Sequence, residues 1–205
     1  MRTILLTCCL FMGTILSAQN NVLIEIENAN AAYKVITGDF VRTQTNVAKG
    51  TSIKADGTLY IVGEDQMAQY YKAPSTDLLI INGNDFYMIR GKKTNKFNTE
   101  KNKTMRSLRN TLLYCVHGKP MVLATENGAE ITAEKKANEY EVVLISTKKT
   151  ARGYAKIVLT YDLKSKLLTK MQMDEYNGNS TLYEMNNLKT NGNIDAKVFD
   201  IPEKK

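Results

Sequence analysis

The feature that most constrains this chain is a long succession of short alternating runs separated by turn residues. FVRTQTNVA, SIKADGTLYIVG, MAQYYKA, DLLIING and DFYMIRG follow one another between Phe40 and Gly91. A second set covers 129–134, 139–147, 155–163, 166–175 and 180–188. Period two over four to eight residues is the signature of half-buried strands, and such regular spacing predicts antiparallel meanders. Asn82-Gly83, set between two apolar runs, is a strong hairpin signal because its turn positions favour positive φ. An antiparallel sheet of about ten strands tends to curl. Helices laid over a curled, open sheet would then enclose an apolar chamber.

Two stretches change period. NVLIEIENANAAYKVIT, residues 21 to 37, places Leu23, Ile26, Asn30 and Tyr33 on one helical face, and Gly38 ends it. NKTMRSLRNTLLYCVH, residues 102 to 117, aligns Met105, Leu108, Leu112 and Cys115, and stops at Gly118 and Pro120. Residues 119 to 128 read as less regular. The chain closes with Phe199 and Pro202 as its last anchoring residues. The fold expected is α+β and mostly β: one curved antiparallel sheet forming an incomplete barrel, with helices grouped on its concave apolar face.

The first residues read as a targeting segment. Arg2 is followed by an apolar run from Ile4 to Leu16 and by Ser17-Ala18, the pattern of a secretory signal peptide cut near Ala18. That divides the chain into a signal peptide, 1–18, and one domain, 19–205. Leu6-Thr7-Cys8 sits too early for a lipid-attachment box, so Cys8 and Cys9 are apolar filler of the signal. Cys115 is then alone, and an internal disulfide is excluded. The chain carries 28 Lys+Arg against 21 Asp+Glu, a net charge of +7 that falls to +6 once Arg2 is removed. The basic residues are scattered in small clusters with no aromatic interleaving, which argues against nucleic acid.

Catalytic and metal-binding patterns are missing. His117 is the single histidine. It lies two residues from Cys115 on a helix, so the two side chains point in different directions. Cys115 reads as a small buried residue. His117 reads as a helix C-terminal polar residue favouring the last carbonyls. There is no CxxC, HExxH, GxSxG or glycine-rich phosphate loop, so no enzyme activity, metal or cofactor is expected.

Alternation assigns the apolar face. Leu59 and Ile61 share one side of their run, as do Met67 and Tyr71, Leu79 and Ile81, Met171 and Met173, and Tyr183 and Met185. Nine methionines suit a surface that adapts to flexible partners. The same pattern also describes the core of an ordinary sheet.

The run GTLYIVGEDQMAQYYKAPSTDLLIINGNDFYMIR resembles the central signature of LolA-type periplasmic lipoprotein carriers. Gly57, Leu59, Pro74, Leu79, Gly83 and Tyr87 match it without a gap. Phe40 to Gln44 resembles the family's Phe-x-Gln strand, slightly stretched. STLYEMNNLKTNGNIDAKVFDIP resembles its last strand and its Phe before the final Pro. The resemblance covers nearly the whole mature chain and implies a periplasmic monomer that carries acylated lipoproteins or lipids from the inner to the outer membrane. It also implies an inner-membrane release complex and an outer-membrane acceptor as partners. On this reading the cavity lining is Leu59, Ile61, Met67, Tyr71, Leu79 and Ile81, with Met171 and Tyr183. One departure stands out. The family's Arg-Pro after the Gly-x-Leu strand, whose arginine is read as pinning the helical lid, is replaced by Gly63-Glu64. Two other readings stay open: an envelope sensor or interaction module of the same fold that binds lipid-like ligands or a protein partner, and an exported enzyme of unknown type.

Overall fold

The computed structural model describes residues 21–75, 77–148 and 153–201. The expected signal peptide and Pro202 lie outside them. Eleven strands form one antiparallel sheet: β1 (Val35–Asn46), β2 (Thr51–Val62), β3 (Gln66–Tyr71), β4 (Leu78–Asn82), β5 (Asp85–Arg90), β6 (Lys93–Asn98), β7 (Ala129–Lys135), β8 (Glu139–Ser146), β9 (Tyr154–Asp162), β10 (Leu168–Glu175) and β11 (Ser180–Thr190). The spatial order is β6-β5-β4-β3-β2-β1-β11-β10-β9-β8-β7. Two meanders are thus joined where β1 meets β11. The outer strands β6 and β7 do not pair with each other, so the sheet stays open. One face of every strand from β1 to β5 and from β7 to β11 feeds a single hydrophobic cluster, and Phe97 of β6 packs against it. A flat sheet this wide could not do that, so the sheet is strongly curled.

Three helices cover the concave face: α1 over residues 21–31, α2 (Lys103–Val116) and α3 (Pro120–Asn127). Leu23 and Ile26 of α1, Leu112, Leu113, Cys115 and Val116 of α2, and Leu123 and Ala124 of α3 enter the same cluster. Asn102 caps α2, its side chain accepting from the Met105 N–H at 3.0 Å.

The structure corrects the sequence reading at three elements. The first helix stops at residue 31 rather than 37. Val35, Ile36 and Thr37 are β-branched and pair with Val62, Ile61 and Tyr60 of β2, so sheet pairing overrides the helical spacing. Residues 119–128, read as irregular, contain α3, which starts with Pro120 and is closed by Gly128 in the left-handed conformation. Strand β6 was not expected at all. Its sequence KTNKFN is polar because it is an edge strand, where lysine discourages further pairing. At the β4–β5 hairpin Asn82 pairs with Asp85, and Gly83 supplies the positive φ of +58°.

A second cluster lies on the convex face. Ala68, Leu78, Ile80, Tyr87 and Ile89 pack there with Phe199 of a short 3-10 turn, Ala196–Phe199. The Tyr70 hydroxyl donates to the Val198 carbonyl at 2.8 Å, fixing this segment against the sheet. Leu78, Leu79, Ile80 and Ile81 are consequently buried on both faces of β4.

Two glycines mark close approaches. A Cβ on Gly57 would sit 2.2 Å from the Tyr70 carbonyl and 2.7 Å from the Phe40 ring, so the glycine of the Gly-x-Leu strand makes room for that ring. Gly118, with φ +64°, joins α2 to α3, and its Cβ would lie 2.8 Å from the Asn30 amide nitrogen of α1.

Candidate functional site

The concave face is the candidate site. Leu59, Ile61, Met67, Tyr71, Leu79, Ile81, Met171 and Tyr183 are all buried and all belong to its cluster. They come from β2, β3, β4, β10 and β11, so strand alternation brings both halves of the sheet together. The helices pack directly onto this face. Between Ile36, Leu59, Ile61, Val116, Leu168 and Met185 the remaining gap is only about 10 Å³, far too little for an acyl chain. The chamber expected from the sequence is therefore closed by its own helices.

These helices are held by burial and by a few polar contacts. The fully buried Tyr161 hydroxyl of β9 donates to the Cys115 carbonyl at 2.8 Å. Arg109 Nε donates to the Gly83 carbonyl at 2.7 Å. Asn30 and Tyr33 donate to the carbonyls of Lys166 and Ser165 in the β9–β10 turn at 2.7 and 2.9 Å. Lys166 pairs with Glu25 at 2.8 Å, and that pairing holds the Glu25 carboxyl below its ordinary range.

Gly63 stands where the family has its arginine, and the next residue, Glu64, meets Lys119 Nζ through its carboxylate at 2.8 Å. Lys119 lies between α2 and α3. The helices are thus tied to the sheet at this corner by a pair in which the sheet supplies the negative partner. Glu64 is 79 % exposed, so the pair contributes little to stability.

His117 does not behave as expected. Its side chain is buried with no partner for Nε2, and burial pushes its pKa below the ordinary value. It is neutral near pH 7 and does not serve the last carbonyls; its backbone N–H donates to the Leu113 carbonyl. Cys115 is fully buried, and burial pushes its thiol up, so it is inert as a nucleophile.

A cleft of about 430 Å³ opens between the first two turns of α2 and the ends of β9 and β10. Met105, Leu108, Tyr154 and Tyr176 supply apolar surface, and Lys103 and Glu175 supply charge. The sequence placed Met105 and Leu108 on the buried side of the helix, but it gave no reason to separate them from Leu112 and Cys115. Tyr154 and Tyr176 carried no signal. Tyr154 borders both the cleft and the main cluster, so the cleft adjoins the covered face.

The chain is similar to known proteins in family and in fold. The family described as outer membrane lipoprotein carrier protein LolA matches residues 31–202. No curated protein matches the sequence. Among solved structures, a DUF1329 family protein from Desulfovibrio piger superposes with a TM-score of 0.51 at 10% identity, covering 91% of this chain and 97% of that one. A domain assigned to outer membrane lipoprotein sorting, from Vibrio parahaemolyticus, gives 0.48 at 13% identity, covering 88% and 95%. The Pseudomonas aeruginosa MucA/MucB complex gives 0.44 at 12% identity, covering 90% of this chain and 61% of the matched one. Among the described residues no helix is long and apolar enough to cross a membrane. The match over most of its length makes this chain a divergent member of the LolA family of outer membrane lipoprotein carriers.

Proposed function

We propose that this protein is a periplasmic carrier that takes the acyl chains of lipoproteins or lipids against its concave face and shuttles them from the inner to the outer membrane. The observation that carries this reading is a single apolar face spanning the curled sheet and covered by helices, which act as the lid on this reading. Leu112, Leu113, Val116 and Leu123 are the large aliphatic side chains that α2 and α3 bury there. At about 1.5–3 kcal/mol each, lifting them costs roughly 6–12 kcal/mol. An acyl chain of about fifteen methylenes recovers on the order of 12 kcal/mol by burial. Lid and cargo are therefore close competitors for the same surface, which is what reversible loading and release require.

Binding of a fluorescent long-chain fatty acid tests the reading. Wild type should bind it, and Leu79→Glu should stay folded by circular dichroism yet lose binding. Equal binding by Leu79→Glu would remove Leu79 from the lining, and unfolding of this variant would make Leu79 ordinary core. Absence of binding by wild type would refute acyl carriage.

A further inference from the structure

The concave face is not uniformly apolar. On β1, Phe40 and Arg42 are on the same side of the strand. Phe40 is buried, and its ring makes an edge contact with Tyr71 at 5.0 Å and a tilted one with Tyr183 at 6.2 Å. The Arg42 guanidinium lies over the Tyr71 ring, 4.7 Å from its centroid. Tyr71 donates its hydroxyl to Gln69 Oε1 at 3.4 Å, and Gln69 is almost fully buried. Burial raises the Tyr183 phenol, and the nearby Arg42 charge opposes that rise. Two strands' inward tyrosines, a buried glutamine and a guanidinium thus converge at one place on the concave face.

Arg42 is incompletely satisfied there. Its Nε is buried and has no hydrogen-bond partner among the described residues. It takes part in none of the ion pairs found among them. Asp77 and Arg90 border the same small gap of about 20 Å³ without pairing with it. A buried donor without an acceptor costs free energy that a ligand oxygen would return, and a guanidinium presents several donors in a rigid fork suited to planar oxygen acceptors. Tyr154, which packs against the same hydrophobic cluster as Tyr71 and Tyr183, also lines the 430 Å³ cleft.

We infer that Arg42, with Tyr71 and Tyr183, is the site that holds the oxygen-bearing head of an acyl ligand, a carboxylate or ester carbonyl, while the chain lies along the aliphatic part of the concave face. This inference rests on the acyl-binding reading above and adds the chemistry of the head. It makes binding selective: a chain with an acceptor at its end is held, and an equally long chain without a carbonyl is held less well.

The experiment measures displacement of a fluorescent fatty acid from the mature protein by palmitate, methyl palmitate and hexadecanol, with wild type, Arg42→Met and Arg42→Lys. Wild type should prefer palmitate over hexadecanol by about tenfold, as expected for one added charge-assisted contact. Arg42→Met should bring that ratio close to one, and Arg42→Lys should leave an intermediate ratio. If methyl palmitate behaves like palmitate, the ester carbonyl suffices and glycerol-linked chains qualify. If it behaves like hexadecanol, a free carboxylate is required. Equal affinity of wild type for palmitate and hexadecanol would overturn the inference, even if Arg42→Met does not fold. So would an unchanged ratio in a folded Arg42→Met. If none of the three compounds binds, acyl binding itself fails and the inference fails with it.

Discussion

Tyr161→Phe isolates what fastens α2 to the sheet. The Tyr161 hydroxyl donates to the Cys115 carbonyl at 2.8 Å in a wholly buried setting. The carbonyl is not orphaned when that hydroxyl goes, because it also accepts from the Gly118 N–H at 3.3 Å. The ring stays, so almost no cavity opens. The loss is then one neutral hydrogen bond, about 1 kcal/mol, or roughly 2–4 °C in Tm for a domain of this size. Tyr161→Ala removes the ring as well and should cost about 3–5 kcal/mol. Urea unfolding followed by circular dichroism measures both. If closed helices limit access to the concave face, the same 1 kcal/mol should speed fatty-acid uptake about fivefold in stopped flow. A loss near 3 kcal/mol in Tyr161→Phe would mean that the hydroxyl, not burial, holds the helix. No loss at all would mean that this hydrogen bond does not pin it.

His117 gives a pH signature. Its folded-state pKa is lowered by burial, so the unfolded chain binds a proton that the folded chain refuses. The stability this withholds is fully present above the unfolded value of about 6.5 and is lost as pH falls below it. Urea midpoints should therefore decline between pH 7.5 and 5.5, and His117→Gln should flatten that decline; an unchanged slope would place the cause elsewhere. Gly118→Ala should cost about 2–4 kcal/mol by thermal melting, because φ +64° disfavours a side chain and the new methyl meets Asn30 and Ile26. Glu64→Gln should change stability by no more than about 0.5 kcal/mol, since the pair with Lys119 is exposed; a larger loss in urea would make that pair a structural tether.

How legible all this was depends on the element. Strands with one buried side could be read directly, because Leu59 and Ile61, or Ile157, Leu159 and Tyr161, repeat every second residue. β4 could be read as a strand but not placed, since the convex face is covered by Phe199, more than a hundred residues away. β6 could not be read, because an edge strand with a single packed residue, Phe97, carries no alternation. The helix over residues 21–31 was overextended because its spacing continues through Tyr33, and only pairing with β2 and β11 shows that Val35 and Ile36 belong to the sheet. The burial of Leu59, Ile61, Met67, Tyr71, Leu79 and Ile81 followed from parity. Arg42, on the side of Phe40, drew no notice in the sequence. Its neighbours are tyrosines from β3 and β11, distant in sequence, and only the folded chain brings them together and shows that its Nε has no partner among the described residues.

Mass spectrometry of the mature protein, purified from its native compartment under non-denaturing conditions, tests the central claim most directly. The account predicts a bound acylated lipoprotein or lipid, released when the protein is denatured. An empty protein that also fails to take up added acyl chains would contradict it, and the concave face would then be only the core of the sheet.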